Sequence, residues 1–357
     1  MARRRPRRIR ALLHVAALPH RRPDPRRPPG RLRTGHRRSR RHRLAAAPAG
    51  PRRDLRTAGV GGRWFTGAVT TDQWQADRLD LDGYLARVGL EPQEPTRAGL
   101  DALHEAHVRT FTFDNIDVLL GQHPGVGLDA VQGKFVGRGR GGYCFEHSTV
   151  FAAVLERLGY TVRRHLGRVG DPADGSQQGR THMVVEVDLD GQRLLCDTGF
   201  GMSLLRPIAL ADGAEDDHLG WRYRMERHDE PEKDTEGACT NTTWRMRRWR
   251  DNGWLMMHST DELPVTPMDV AIGHHYTSTH PDSHFTRTLV VARHLPDRHV
   301  TVTHDTVTVR RAGEPTEHRP LAAGELADWL EVLDVPLTID EEQNLLRRAA
   351  DLAATGS

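Results

Sequence analysis

A glycine-rich loop running into an apolar helix presents a cysteine that could act as a nucleophile. In Arg138-Gly139-Arg140-Gly141-Gly142-Tyr143-Cys144-Phe145-Glu146, three glycines fall within four residues. Phe151, Val154, Leu155 and Leu158 continue as an apolar stripe to Gly159, which has the position and identity of a C-terminal cap. Cys144 therefore sits in the first turn, where the positive end of the helix dipole favours a thiolate. Counted by turns, Cys144, Ser148 and Phe151 share an inward face. A cysteine in a helix is commonly just a small core hydrophobe. The glycines argue for more, since they cost backbone entropy that packing does not need and let a substrate approach the main chain.

A thiolate needs a base, and the base needs an acceptor to orient it. Both can come from one hairpin, Thr181 to Val187 out and Gln192 to Asp197 back, around Asp188-Leu189-Asp190-Gly191. Singly, one His among 21 is an ordinary structural residue and an Asp at a strand end an ordinary turn former. In the order Cys144, His182, Asp197 they form a triad hypothesis that register decides. A two-residue loop at Leu189-Asp190, or a four-residue loop from Asp188 to Gly191, sets His182 opposite Asp197. A two-residue loop at Asp190-Gly191 sets Asp197 opposite Val184 and diagonal to His182. Either way the two side chains share a face and Cys196 points away; a three-residue loop would separate them.

The elements that must hold these residues are readable from periodicity. Leu81, Tyr84, Leu85 and Val88 predict a helix stopped by Gly89, a second helix starts near Thr96 with Leu100, Leu103 and Val108 on one face, and a short one covers Leu128 to Phe135. Beyond Tyr160, alternating runs predict strands at Met183 to Val187, Arg193 to Cys196, Leu289 to Ala292 and Val300 to Val307. The acidic stretch Asp229 to Glu236 reads as a loop between strands, and Ala323 to Leu333 and Asp340 to Ala354 return to helix.

Charge divides the chain. Residues 1–70 hold 21 arginines and only Asp24 and Asp54, about +19, so the overall +3 leaves about −16 for the remainder. This Arg/Pro/Ala/Gly segment is expected to be disordered, an inert tail or untranslated leader rather than a nucleic-acid arm, since no aromatic residues interleave it to stack bases. Val69 is then a candidate start. Three cysteines, Cys144, Cys196 and Cys239, give no disulfide framework and no zinc site, which fits a reducing cytoplasm. No stretch approaches the ~20 apolar residues of a membrane span, and Ala11 to Leu18, followed by arginines, is not a signal peptide.

From about residue 75 to 350 the sequence resembles the arylamine N-acetyltransferase family. Arg140-Gly141-Gly142-Tyr143-Cys144-Phe145-Glu146 is similar to its nucleophile motif, and Cys196-Asp197-Thr198-Gly199-Phe200-Gly201 to its Asp motif. Thr112-Phe113-Asp114-Asn115, and His275 to Ser283 with Phe285, match two further segments. The resemblance implies an α+β multidomain fold with a cysteine-protease-like core: a helical bundle over 71–160 carrying the nucleophile, a β-barrel over 161–275 carrying His and Asp, and an α/β lid over 276–357. It implies a triad of Cys144, His182 and Asp197, with Phe113, Arg140, Gly142, Tyr143, Phe200 and Gly201 shaping the site. It further implies acetyl-CoA as co-substrate in a cleft between barrel and lid, no tightly bound cofactor or metal, and a small arylamine, arylhydrazine or N-hydroxyarylamine as acceptor. Asp114 stands for a usual Glu that pairs with the motif's Arg, here Arg140, and Ser148 stands where many members have Asn. The same motifs would serve an amide synthase of this fold closing a polyketide macrolactam. A cysteine protease or transglutaminase shares the triad order but differs around the nucleophile.

Overall fold

Asp80 and Thr96 begin the first two helices as their side chains suggest, each accepting a hydrogen bond from a backbone N–H three residues on. In this computed structural model, residues 72–171, 178–229, 242–250 and 252–355 are described. The arginine-rich segment, the acidic stretch beyond Asp229, and Cys239 lie outside them.

Helices α1 (Leu81–Val88) and α2 (Arg97–Thr110) are followed by a short strand β1 (Phe113–Asp114), then α3 (Ile116–Leu119) and α4 (Leu128–Gln132). The helix expected through Phe135 changes its winding after Gln132, where a π turn spans Gly133–Gly137. Helix α5 (Cys144–Arg157) is buried along nearly its whole length, and Gly159, at φ 91°, terminates it as a left-handed residue. Tyr84, Leu100, Leu103, Phe111, Phe135, Phe151 and Leu155 make the core these helices share.

Eight antiparallel strands follow: β2 (Thr161–Val169), β3 (His182–Leu189), β4 (Gln192–Cys196), β5 (Ile208–Ala209), β6 (Glu215–His218), β7 (Trp221–Asp229), β8 (Thr242–Arg250) and β9 (Gly253–Asp261). They pair in the order β5-β4-β3-β2-β9-β8-β7-β6, and the edge strands β5 and β6 come together, so the sheet nearly closes into a barrel. Helix α5 packs against β3 and β2. Beyond α6 (Pro267–Thr279) and α7 (His284–Arg287), β1 joins β10 (Val290–His294), β11 (His299–Thr303), β12 (Thr306–Arg310) and β13 (Glu317–Pro320) in a second sheet. Its valines pack against Leu326, Leu330, Leu345 and Ala349 of α8 (Glu325–Val332) and α9 (Ile339–Thr355). The single strand expected over Val300 to Val307 is two, because Thr303 Oγ1 bonds the Asp305 carboxylate and accepts from the Thr306 N–H, folding the chain at His304-Asp305. The result is the α+β fold of helices, barrel-like sheet and α/β layer that the resemblance implied.

The β3–β4 hairpin pairs Val185 with Cys196 and Leu189 with Gln192, leaving Asp190-Gly191 as the loop. Both loop residues have positive φ, 53° and 78°, as a type I′ turn requires and as the pair Asp-Gly accepts readily. The hairpin thus takes the register that sets Asp197 diagonal to His182.

Candidate active site

The start of α5 is held by buried charge. Glu146 accepts from the Tyr143 N–H at 3.0 Å and pairs with Lys134 at 2.8 Å and His123 at 3.2 Å. Burial works against the Glu146 anion, but Lys134 and then His123 overcome it and hold the carboxyl low. A Cβ on Gly142 would lie 2.2 Å from Glu146 Oε2, and one on Gly141 1.8 Å from the Thr112 carbonyl oxygen. These glycines therefore let the protein approach itself, which corrects the expectation that packing did not need them. Gly141→Ala should lower unfolding free energy by about 1–3 kcal/mol, because the methyl must displace a backbone carbonyl. An unchanged urea midpoint would contradict this.

His182 begins β3 and Asp197 directly follows β4; both are buried, and His182 Nε2 lies 3.2 Å from Asp197 Oδ2. An ionised carboxylate can only accept, so Nε2 carries a proton, and in the neutral imidazole it is Nδ1 that keeps the lone pair. Cys144 Sγ lies 3.5 Å from the carbonyl oxygen of Thr181, the residue before His182, and Cys144 and His182 line one cavity. Burial opposes the imidazolium, but the Asp197 charge and hydrogen bond, and then Cys144, push His182 up to about 10. Burial likewise opposes the Asp197 anion, while His182 and then His258 hold its carboxyl well below the usual range. Ser148 donates to the Met183 carbonyl at 2.7 Å, tying α5 to β3. Cys196 points the other way, into the helical core beside Val185, Val187 and Leu194, where burial pushes its thiol up.

Cys144 and His182 open onto a cavity of about 410 Å³ whose other walls include Phe113, Thr181, Phe200, Tyr276 and Phe285. Phe200 meets the His182 ring edge-on at 5.1 Å. Gly201 lies behind Phe113, where a Cβ would come within 3.2 Å of the ring. Gly199 passes so close to α5 that a Cβ there would be 2.8 Å from Cys144 Cα. A separate cavity of about 520 Å³ between β7, β8 and the β12–β13 turn shares none of these residues.

Four of the six expected site-shaping residues do not line the cavity, Gly201 behind Phe113 being the first. Gly142 is the close contact to Glu146. Tyr143 is buried, bonded through its hydroxyl to His274 Nδ1. Arg140, fully buried, pairs with Asp117 at 2.9 Å and Glu341 at 2.8 Å. The carboxylate expected to face that arginine, Asp114, instead accepts from Thr112 Oγ1 and the Ile116 N–H. Its neighbour Asn115 donates to the Phe285 and Thr288 carbonyls and accepts from the Val290 N–H, so this motif anchors the cavity wall at α7.

One functional side chain escaped the sequence reading. His258 Nε2, on β9, lies 3.0 Å from the same Asp197 Oδ2 that His182 uses. Its only signal was a histidine directly after the apolar run Trp254 to Met257. The polar atoms of His182, Asp197 and His258 lie within 4.8 Å of one another, close enough for one cation, but Oδ2 is already engaged by two ring N–H groups.

A cysteine at a helix start, near an imidazole that a buried carboxylate orients, is an arrangement that thiol nucleophiles use. The N-acetyltransferase family model matches residues 98–341. The arylamine N-acetyltransferase of Mycolicibacterium smegmatis is 36% identical over 247 residues, 67% of this chain and 85% of that protein. The solved Mycobacterium abscessus arylamine N-acetyltransferase superposes with a TM-score of 0.70 at 32% identity, covering 78% of this chain and 98% of its own. The Mycobacterium marinum enzyme, solved in complex with CoA, gives 0.68 at 30%, covering 76% and 99%. The chain belongs to the arylamine N-acetyltransferase family and is an acyltransferase.

Proposed function

We propose that this protein moves an acetyl group from acetyl-CoA to a small aromatic amine through a thioester on Cys144. The observation that carries this reading is the buried His182–Asp197 pair beside Cys144, with Cys144 and His182 lining one aromatic-walled cavity. His182 Nδ1 takes the thiol proton while Asp197 holds Nε2–H. The thiolate attacks the acetyl-CoA carbonyl, and its charge goes to the carbonyl oxygen, within reach of first-turn N–H groups that have no intrahelical acceptor. Collapse expels the CoA thiolate, which takes the proton from the imidazolium. One thioester replaces another, so the exchange needs no ATP. In the second half, the amine attacks the acetyl-cysteine, His182 accepts its proton, and Cys144 leaves as thiolate and is reprotonated. Phe113, Phe200 and Phe285 offer the apolar walls an aryl ring would need.

The same proposal takes residues 71–160, 161–275 and 276–357 as bundle, barrel and lid, and places the enzyme in the cytoplasm. No helix among the described residues is long and apolar enough to cross a membrane. Steady-state kinetics with acetyl-CoA and an arylamine test the proposal: acetylated amine should form with parallel double-reciprocal lines, as two half-reactions require. Intersecting lines, or turnover only with a polyketide thioester as expected of a macrolactam-forming amide synthase, would overturn it.

A further inference from the structure

His258 is completely buried, and its ring lies 4.8 Å from that of His182 and 5.4 Å from that of Phe200. Its position depends on a β-bulge. Met246 of β8 pairs with His258 but Arg247 pairs with Met256, so Met257 is an extra residue on β9. Such a bulge re-aims the side chains beside it. On the other side, β9 pairs His258 with Val169 of β2. His258 Nδ1 has no hydrogen-bond partner among the described residues, whereas Nε2 reaches Asp197 Oδ2. Since the carboxylate only accepts, Nε2 carries a proton, and burial with Nδ1 unpartnered favours the neutral ring. Asp197 thus divides one oxygen between two N–H donors, only one of which belongs to the base.

We propose that His258 is a positioning residue that pins the Asp197 carboxylate toward His182 and limits the basicity Asp197 lends to that imidazole. This rests on the reading of His182 as the base. The two half-reactions make opposite demands on His182. Acylation uses an imidazolium to return a proton to the leaving thiolate, whereas aminolysis needs a neutral imidazole to accept the amine's proton. A carboxylate with His182 as its single donor would hold the imidazolium more firmly and slow aminolysis at neutral pH. The second donor offsets that pull.

The groups that act on Asp197 besides the two imidazoles are displaced from the neutral range by burial. Beside His182 on β3, those acting on Asp197 are His104 of α2, Cys196 of β4 and Tyr223 of β7, and Cys144 of α5 acts on His182. Burial and then His218 bring His104 down to about 3, and burial pushes the Cys196 thiol and the Tyr223 hydroxyl up. Burial also lowers His258 itself.

The test measures each half-reaction against pH in wild type, His258→Phe and His258→Gln. Phe keeps a ring without a donor; Gln restores an N–H. In His258→Phe the acidic limb of aminolysis should move up by about one pH unit, a roughly tenfold loss at neutral pH, with acylation slowed less. In His258→Gln the limb should return toward wild type. Equal slowing of both halves with no shift of the limb would assign His258 a purely structural role and overturn the proposal. If the Phe variant does not fold, Gln alone decides: a wild-type limb supports the role of the donor, and a displaced limb overturns it. Failure of wild type to acetylate Cys144 at all would instead sink the reading beneath.

Discussion

Cys144→Ser is expected to lower kcat/KM by about 10⁴-fold or more while leaving the fold intact. The hydroxyl that replaces the thiol is nearly its size and can still donate to the Thr181 carbonyl, so the buried start of α5 loses little. Chemistry loses much more. His182, even with Asp197 behind it, cannot hold a serine as its anion at neutral pH, and an oxygen ester is a poorer acyl relay to an amine than a thioester. Thermal melting within a few degrees of wild type, with rates near background, is the expected pair of results. Retention of a tenth of wild-type activity would remove Cys144 as nucleophile.

Asp197→Asn should cost about 10³–10⁴-fold in kcat/KM through the wrong tautomer. Two ring N–H groups converge on one carboxylate oxygen and the Gly199 N–H on the other, so an amide that serves both rings sets its NH₂ against the Gly199 N–H, and flipping to relieve that contact turns the NH₂ toward the rings. His182 then escapes the clash by moving its proton to Nδ1, where it faces Cys144 and can no longer act as base. Stability carries a second signature. The Asp197 carboxyl is held below its ordinary value of 3.8 in the folded protein, so its charge stabilises the fold above that pH, and the contribution is lost as pH falls through the folded value. The Asn variant should therefore show a smaller acid-side decline in unfolding free energy than wild type. A steeper decline, or wild-type kcat/KM, would contradict the role given to Asp197.

The ends of α1, α2 and α5 were legible because Gly89, Thr96 and Gly159 act locally, each through one cap or one positive φ. Hairpin register was left open among loops of two, three and four residues, of which only the three-residue loop separates His182 from Asp197, and the demand of Asp190-Gly191 for a two-residue type I′ turn selected among them. Long-range packing was not legible. Gly141 and Gly142 looked like room for a substrate because nothing local announces that Thr112 and Glu146 press against them. Arg140 finds Glu341, about 200 residues away, through α9 and not through the nearby Asp114. His258 joins Asp197 only because a bulge in β9 turns it inward, and bulges leave no fixed mark in a strand pattern. The split at His304-Asp305 was hidden by valines on both sides that read as one continuous strand.

The most direct measurement is the site and fate of the acyl group. The protein is incubated with acetyl-CoA, quenched, and mapped by peptide mass spectrometry, then re-examined after an arylamine is added. The account predicts one acetyl group, on Cys144 alone, discharged by the amine at a rate matching turnover, and absent from Cys144→Ser. An acetyl group found on Cys196 or Cys239, or steady formation of acetylated amine with Cys144 never modified, would contradict it.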